Sequence, residues 1–177
     1  SNCAIHVPKG LNLAQLLVIR TLKEARRERL ATIADQYADI QYYAGKKPWR
    51  FPCEIAMPCA TQNEIDIDDA RALVGNGTIA VCEGANMPTT EDAIALIRSC
   101  NLLYTPGKAS NAGGVAVSGL EQSQNSMRVS WSREEVDEKL QTIMKLIHAK
   151  CVEFSPDGKV DYLVGANIAG LSKVARA

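Results

Sequence analysis

The stretch CEIAMPCATQNEIDIDDARALVGNGTIAVCEGANMPTTEDAIALIRSCNLLY, residues 53–104, carries the periodicity on which the fold turns. Short apolar runs alternate with helical spacing: 53–57 predicts a strand, 68–74 a helix and 78–82 a second strand. A helix over 91–99, opening after Thr89 or Thr90 as cap, and a third strand over 101–104 complete the series. Strand, helix, strand with brief connections is the sequence form of right-handed βαβ units, so the strands are expected to be parallel and the fold α/β.

Working outward, Leu13, Leu16, Leu17, Leu22, Leu30, Ile33 and Ala34 recur at mostly helical intervals and predict one long amphipathic helix over 12–39. Its charged run KEARRER, 23–29, mixes both signs and reads as a solvated face. GKKPWRFP, 45–52, breaks that helix through Gly45, Pro48 and Pro52. Beyond the alternating region a helix is predicted over 113–130, and another from the capping box SREE (Ser132 with Glu135) to about 149. A turn at SPDG, 155–158, and a last helix over 162–175 follow. The expected division is a sheet-bearing domain over 1–130 and a helical segment over 131–177 packing back on it.

Composition excludes several functions. Lys and Arg number 20 against 20 Asp and Glu, so no net field holds nucleic acid or an anionic membrane. Six cysteines at 3, 53, 59, 82, 100 and 151 form no CxxC pair, and His6 and His148 are far apart, so no metal site is expected. The cysteine usage reads as reduced thiols in an intracellular compartment. No apolar run approaches the ~20 residues of a membrane span. The opening SNCAIHVPKG begins without methionine, yet already looks like a strand, which suggests a truncated chain with Ser1 and Asn2 as vector remnants.

Each predicted strand leads into a loop richer in Gly, Pro and amides than a turn requires: PCATQNE (58–64), EGANMPTT (83–90) and TPGKASNAGG (105–114). Each alone is compatible with an ordinary turn. Parallel strands would bring all of them to one carboxyl edge, where open α/β sheets bind ligands. Asn111, Val115, Ser118 and Gln122 would share one face of the following helix. Gly113 and Gly114 at its start would offer bare N–H groups to a carboxylate or another acceptor. Val115 and Ser118 read equally well as a core residue and an ordinary helical serine. GxGxxG is absent, and TPGKAS only echoes a P-loop, since the required earlier Gly is Leu102. No Ser-His-Asp or Cys-His set converges. His148 reads as a helix C-terminal cation, His6 as a loop or edge residue, and Cys59 as the one thiol placed to react.

PCATQNE, EGANMPTT and PGKASNAGGVAVSGLEQSQN, in this order and spacing, resemble the hexameric glutamate dehydrogenases, most closely the NADP-type enzymes of bacteria and lower eukaryotes. The resemblance runs from about Pro48 to the C-terminus and includes GANIAG at 165–170. It implies a Rossmann-like coenzyme domain, with helices on both faces of a parallel sheet, lacking its first βα unit and carrying C-terminal helices. It also implies reversible oxidative deamination of L-glutamate to 2-oxoglutarate and ammonia, with hydride transfer to NADP or, alternatively, NAD. A homo-hexamer serving nitrogen assimilation in the cytoplasm, or alternatively the mitochondrion, would be the setting. Carried over, Asn63 and Asn86, with the backbone of Ala60, Gly84 and Ala85, would lie along the nicotinamide ribose, and Asn111 at the nicotinamide. Val115 and Ser118 would form this domain's part of the substrate pocket, the Ser118 hydroxyl donating to the side-chain carboxylate of glutamate. The family's catalytic lysine, proton-handling aspartate and carboxylate-gripping lysines belong to another domain, so no catalytic residue is assigned here and the chain alone is expected to be inactive. The alternatives are a non-catalytic ligand-binding or regulatory module and a leucine- or phenylalanine-type dehydrogenase.

Overall fold

The computed structural model describes residues 3–156 and 158–176. Ser1 and Asn2, read as vector remnants, and Asp157 of the predicted turn lie outside that set. Two compact units divide at Pro52 and Cys53.

In the first unit, β1 (Cys3–His6) pairs antiparallel with β2 (Gln41–Ala44), joining Cys3 to Ala44 and His6 to Gln41. His6 is therefore an edge residue, its ring stacked on Phe51 at 4.2 Å. Helix α1 (Leu13–Arg20) opens on a capping box: Gln15 N donates to Asn12 Oδ1 at 2.9 Å, and Asn12 N to Gln15 Oε1 at 3.0 Å. The long helix expected over 12–39 does not form. The coil widens into a π-turn at Thr21–Ala25, Arg27 takes a left-handed φ of 54°, and a short α2 (Ala31–Ala34) follows. The physical reason is burial. Doubling back brings Ile33 and Ile40 against Leu22, a core that a straight rod could not enclose. The buried Gln15 amide ties the ends of this excursion by donating to both carboxylate oxygens of Asp39, at 3.0 and 2.9 Å.

The second unit is α/β, as the alternating stretch predicts. Strands β3 (Ile55–Ala56), β4 (Ala80–Cys82) and β5 (Leu103–Thr105) pair in parallel in the order β3-β4-β5, with Ile55, Ala80 and Leu103 in register. They are shorter than expected because flanking residues serve the helices. Thr78 N–H closes α3 (Ile67–Gly75) on Leu73 O, and its hydroxyl bonds Cys53 O at 3.0 Å. Asn101, with φ 59°, turns the chain out of α4 (Glu91–Ser99). Asp66 and Asp69 form the capping box of α3. Thr90 occupies the N-cap position of α4, but its hydroxyl goes to Asp92 instead of a backbone N–H. Val81, Ile97, Ala93, Leu73 and Ala70 are fully buried in the core beside the sheet.

A short α5 (Gly107–Ser110) follows β5, then α6 (Gly113–Met127), α7 (Arg133–Glu153) and α8 (Tyr162–Ala175). The Ser132–Glu135 capping box opens α7 as the sequence predicts, and the helix runs one turn beyond the expected end. His148 consequently lies inside α7, where it shares a hydrogen bond with Tyr162 Oη at 3.2 Å, and is not a terminal cation. All six cysteines are free thiols, and among the described residues no helix is long and apolar enough to cross a membrane.

Helices α7 and α8 cross at Gly165, where an added methyl would lie 1.9 Å from Cys151 O. Backbone cannot yield as a side-chain tip can, so Gly165→Ala is expected to cost about 3 kcal/mol, read as a lower urea midpoint. Asp161 caps α8 by accepting from Leu163 N and Val164 N, both at 3.1 Å, and also pairs with Arg98 of α4. Burial opposes its charge, but the Val164 N–H, the Arg98 guanidinium and the Leu163 N–H outweigh it and hold the carboxyl below its ordinary range. The folded state then binds fewer protons than the unfolded one. Its stabilisation is complete above the unfolded pKa of about 4 and is lost as pH falls through the lower folded value. Asp161→Ala is expected to be about 1 kcal/mol less stable at neutral pH. That gap should narrow in thermal unfolding below about pH 4.

Candidate functional site

Because β3, β4 and β5 run parallel, the loops that leave them emerge at one edge. The first is shaped by Glu64, a buried residue whose Oε2 accepts from Ala60 N at 3.0 Å and Thr61 N at 3.4 Å. The second loop is stitched to it through backbone. Gly84 N and Ala85 N donate to Pro58 O at 2.9 and 3.0 Å, Asn63 N to Met87 O at 3.0 Å, and Ile65 N to Pro88 O at 2.8 Å.

The second and third loops are joined by a buried charge. Glu83, 4% exposed, follows β4 and accepts from Tyr104 Oη and from Gly107 N, each at 2.7 Å. Burial, with Glu83 beside it, pushes the Tyr104 phenol far above its ordinary pKa, so it stays a donor. A methyl on Gly107 would lie 2.7 Å from Ala85 O, so only glycine admits this approach. Ser110 Oγ also donates to Glu83 O. Asn111 finishes the join: its Nδ2 donates to Ala85 O at 3.0 Å and to Asn86 Oδ1 at 2.8 Å.

The knitted rim encloses an open cleft of about 710 Å³, lined by Cys59 to Gln62, Gly84 to Asn86, Lys108, Asn111, Ala112, Gly114 and Val115. Its lining is neutral except for Lys108. With both amide hydrogens committed, Asn111 has only its carbonyl oxygen left for a ligand, while Asn86 keeps its NH₂. The rim thus keeps one acceptor on Asn111 and one donor on Asn86, the two kinds of group a primary amide needs.

The family model for glutamate, leucine, phenylalanine and valine dehydrogenases matches residues 1–177. The chain belongs to this dehydrogenase family. The match extends over the N-terminal unit, further than the resemblance that starts near Pro48. A glutamate dehydrogenase of Bacteroides thetaiotaomicron is 53% identical over 175 residues, covering 98% of this chain and 39% of that protein. An NAD(P)-specific glutamate dehydrogenase of Xylanibacter ruminicola is 51% identical, covering 100% of this chain and 40% of its own length. The crystal structure of Plasmodium falciparum glutamate dehydrogenase superposes with a TM-score of 0.93 at 47% identity, over 99% of this chain and 38% of that one. The chain therefore spans about two-fifths of the length of these curated relatives. Other relatives' names divide over the cofactor, NADP-specific in Salmonella typhimurium and NAD-specific in Bacteroides fragilis.

Within this dehydrogenase chain Ala60, Gly84, Ala85, Asn86, Asn111 and Val115 all line the cleft. Asn63 and Ser118 do not. Asn63 is exposed, with a left-handed φ of 53°, and joins the rim through its backbone N–H. Ser118 lies exposed a turn along α6, its hydroxyl turned back to Gly114 O at 3.4 Å. The helix face expected for Asn111, Val115, Ser118 and Gln122 loses its first member, since α6 starts at Gly113 and Asn111 instead ends α5. The glycine pair also differs from expectation. Gly114 N–H is engaged by Asn111 O at 3.3 Å, and Gly113 faces Leu140 and Met144 of α7. Cys59 is exposed and lines the cleft.

Sequence reasoning missed Glu64, Glu83 and Lys108. A signal existed for Glu83: a carboxylate directly after the apolar run TIAVC is rarely buried unless something pairs with it. Removing it tests the rim. Glu83→Ala leaves the Tyr104 hydroxyl and the Gly107 N–H without a partner, and a cost of about 3 kcal/mol is expected in equilibrium unfolding.

Proposed function

We propose that these residues form the coenzyme-binding part of a glutamate dehydrogenase that interconverts L-glutamate with 2-oxoglutarate and ammonia, using NADP or, alternatively, NAD. The observation that carries the reading is the Asn86–Asn111 pair at the cleft rim, with one donor and one acceptor left over. A nicotinamide carboxamide offers the matching acceptor and donor, so the residues fit the group. When bound, the nicotinamide supplies the hydride acceptor or donor of the reaction.

This chain's own residues then orient and shield. Asn86 and Asn111 would hold the carboxamide through the donor and the acceptor they keep. Backbone at Ala60, Gly84 and Ala85, which line the cleft without a large side chain, would lie along the ribose. Val115, 74% exposed, supplies an apolar wall for the substrate's methylene chain, and Ser118 a hydroxyl for its distal carboxylate. Substrate closure over Val115 would bury that surface and exclude water from the hydride path. Asn63 acts through the loop it anchors.

In this proposal the acid–base residues, and the lysines that grip the substrate carboxylates, come from sequence beyond these residues, and the whole protein assembles as a homo-hexamer. The 177-residue chain is expected to bind NADPH weakly and to show no turnover, while the full-length protein oxidises NADPH only when both 2-oxoglutarate and ammonia are present. Robust turnover by the 177-residue chain would refute this division of labour. Loss of one hydrogen bond to a charged group predicts that Ser118→Ala in the full-length protein raises KM for glutamate about tenfold, read from initial rates.

A further inference from the structure

We propose that Lys108 recognises an anionic group of the bound ligand, and that Asn167 holds it in reserve until the ligand arrives. The proposal rests on the dehydrogenase reading above and adds to it a residue and a charge. Among the described residues Lys108 is the one charged residue lining the cleft, and it also lines the groove between α7 and α8. Its Nζ donates to Asn167 Oδ1 of α8. Among the described residues no carboxylate stands within ion-pair distance of it.

An ammonium whose partner is a neutral amide keeps its full charge uncompensated. A carboxylate or phosphate oxygen makes a charge-assisted bond roughly twice as strong as a neutral one, so an anion entering the cleft displaces Asn167. The exchange is easy because Lys108 is exposed and its four-carbon stem is flexible. Position favours the substrate as the source: Lys108 precedes Asn111, Gly114 and Val115, the end of the cleft where the apolar wall stands. A dinucleotide phosphate offers the same oxygen chemistry. Displacement also frees Asn167, so occupancy of the cleft is felt by α8.

The test compares calorimetric binding of 2-oxoglutarate, fluorescence titration of NADPH, and KM against kcat in the full-length protein. Lys108→Met is expected to weaken 2-oxoglutarate about tenfold, in both Kd and KM, with little change in kcat, and Lys108→Arg to recover part of the loss. Asn167→Ala, which releases the ammonium, is expected to tighten the same ligand by about twofold. A loss confined to NADPH supports the anion role and assigns the oxygen to a dinucleotide phosphate. Parental binding of both ligands by Lys108→Met, or weakened binding in Asn167→Ala, overturns the proposal while leaving the dehydrogenase reading intact. A parent protein that binds neither ligand overturns both.

Discussion

A carboxylate taken out of water survives only where donors replace the solvent it gives up, and the Glu83 carboxylate is held in this way. Its donors, the Tyr104 hydroxyl and the Gly107 N–H, belong to β5 and to the start of α5, while Glu83 itself follows β4. One buried charge thus locks two successive strand ends to each other. Ala85 O is thereby brought close to Gly107, and Asn111 comes within reach of Ala85 and Asn86. The pairing of the two asparagines, and with it the donor and acceptor on the rim, is a consequence of that tie.

Backbone does the same work between the first two loops. Amides from Gly84, Ala85, Asn63 and Ile65 cross between them, and Glu64 turns inward to satisfy N–H groups that the curve of its own loop leaves without a ladder partner. The result is a rim tied by backbone hydrogen bonds and by the inward-turned carboxylates of Glu64 and Glu83, and lined by small residues and amides. Charge enters at Lys108, whose partner lies on α8, a helix positioned by its glycine crossing with α7 and by the Asp161 cap. The Lys108–Asn167 bond thus adds a polar link between rim and C-terminal helices to the packing of Gly113 against Leu140 and Met144 of α7.

Much of this was legible along the chain. Residues 53–104 alternate between two periodicities, and a period is a local property that needs no knowledge of distant contacts. Capping boxes are equally local, which is why the start of α7 at Ser132 and Glu135 agrees with the sequence reading. The loops rich in Gly and Asn meet at one edge and line a cleft there, because parallel strands leave no choice about where their ends meet.

The failures share a cause. In 12–39 the helical period is present, yet burial of Leu22 against Ile33 and Ile40 bends the chain, and that gain depends on contacts between residues distant in sequence. The roles of Glu83, Gly107 and Lys108 also depend on partners 21 to 59 residues away. The order of strands and helices over 53–104, the cap of α7 and the edge to which the strand-end loops run follow from local chemistry written residue by residue. Which amide hydrogens are already committed, which charge is buried and which remains unbalanced were decided only when folding brought those partners within hydrogen-bond reach.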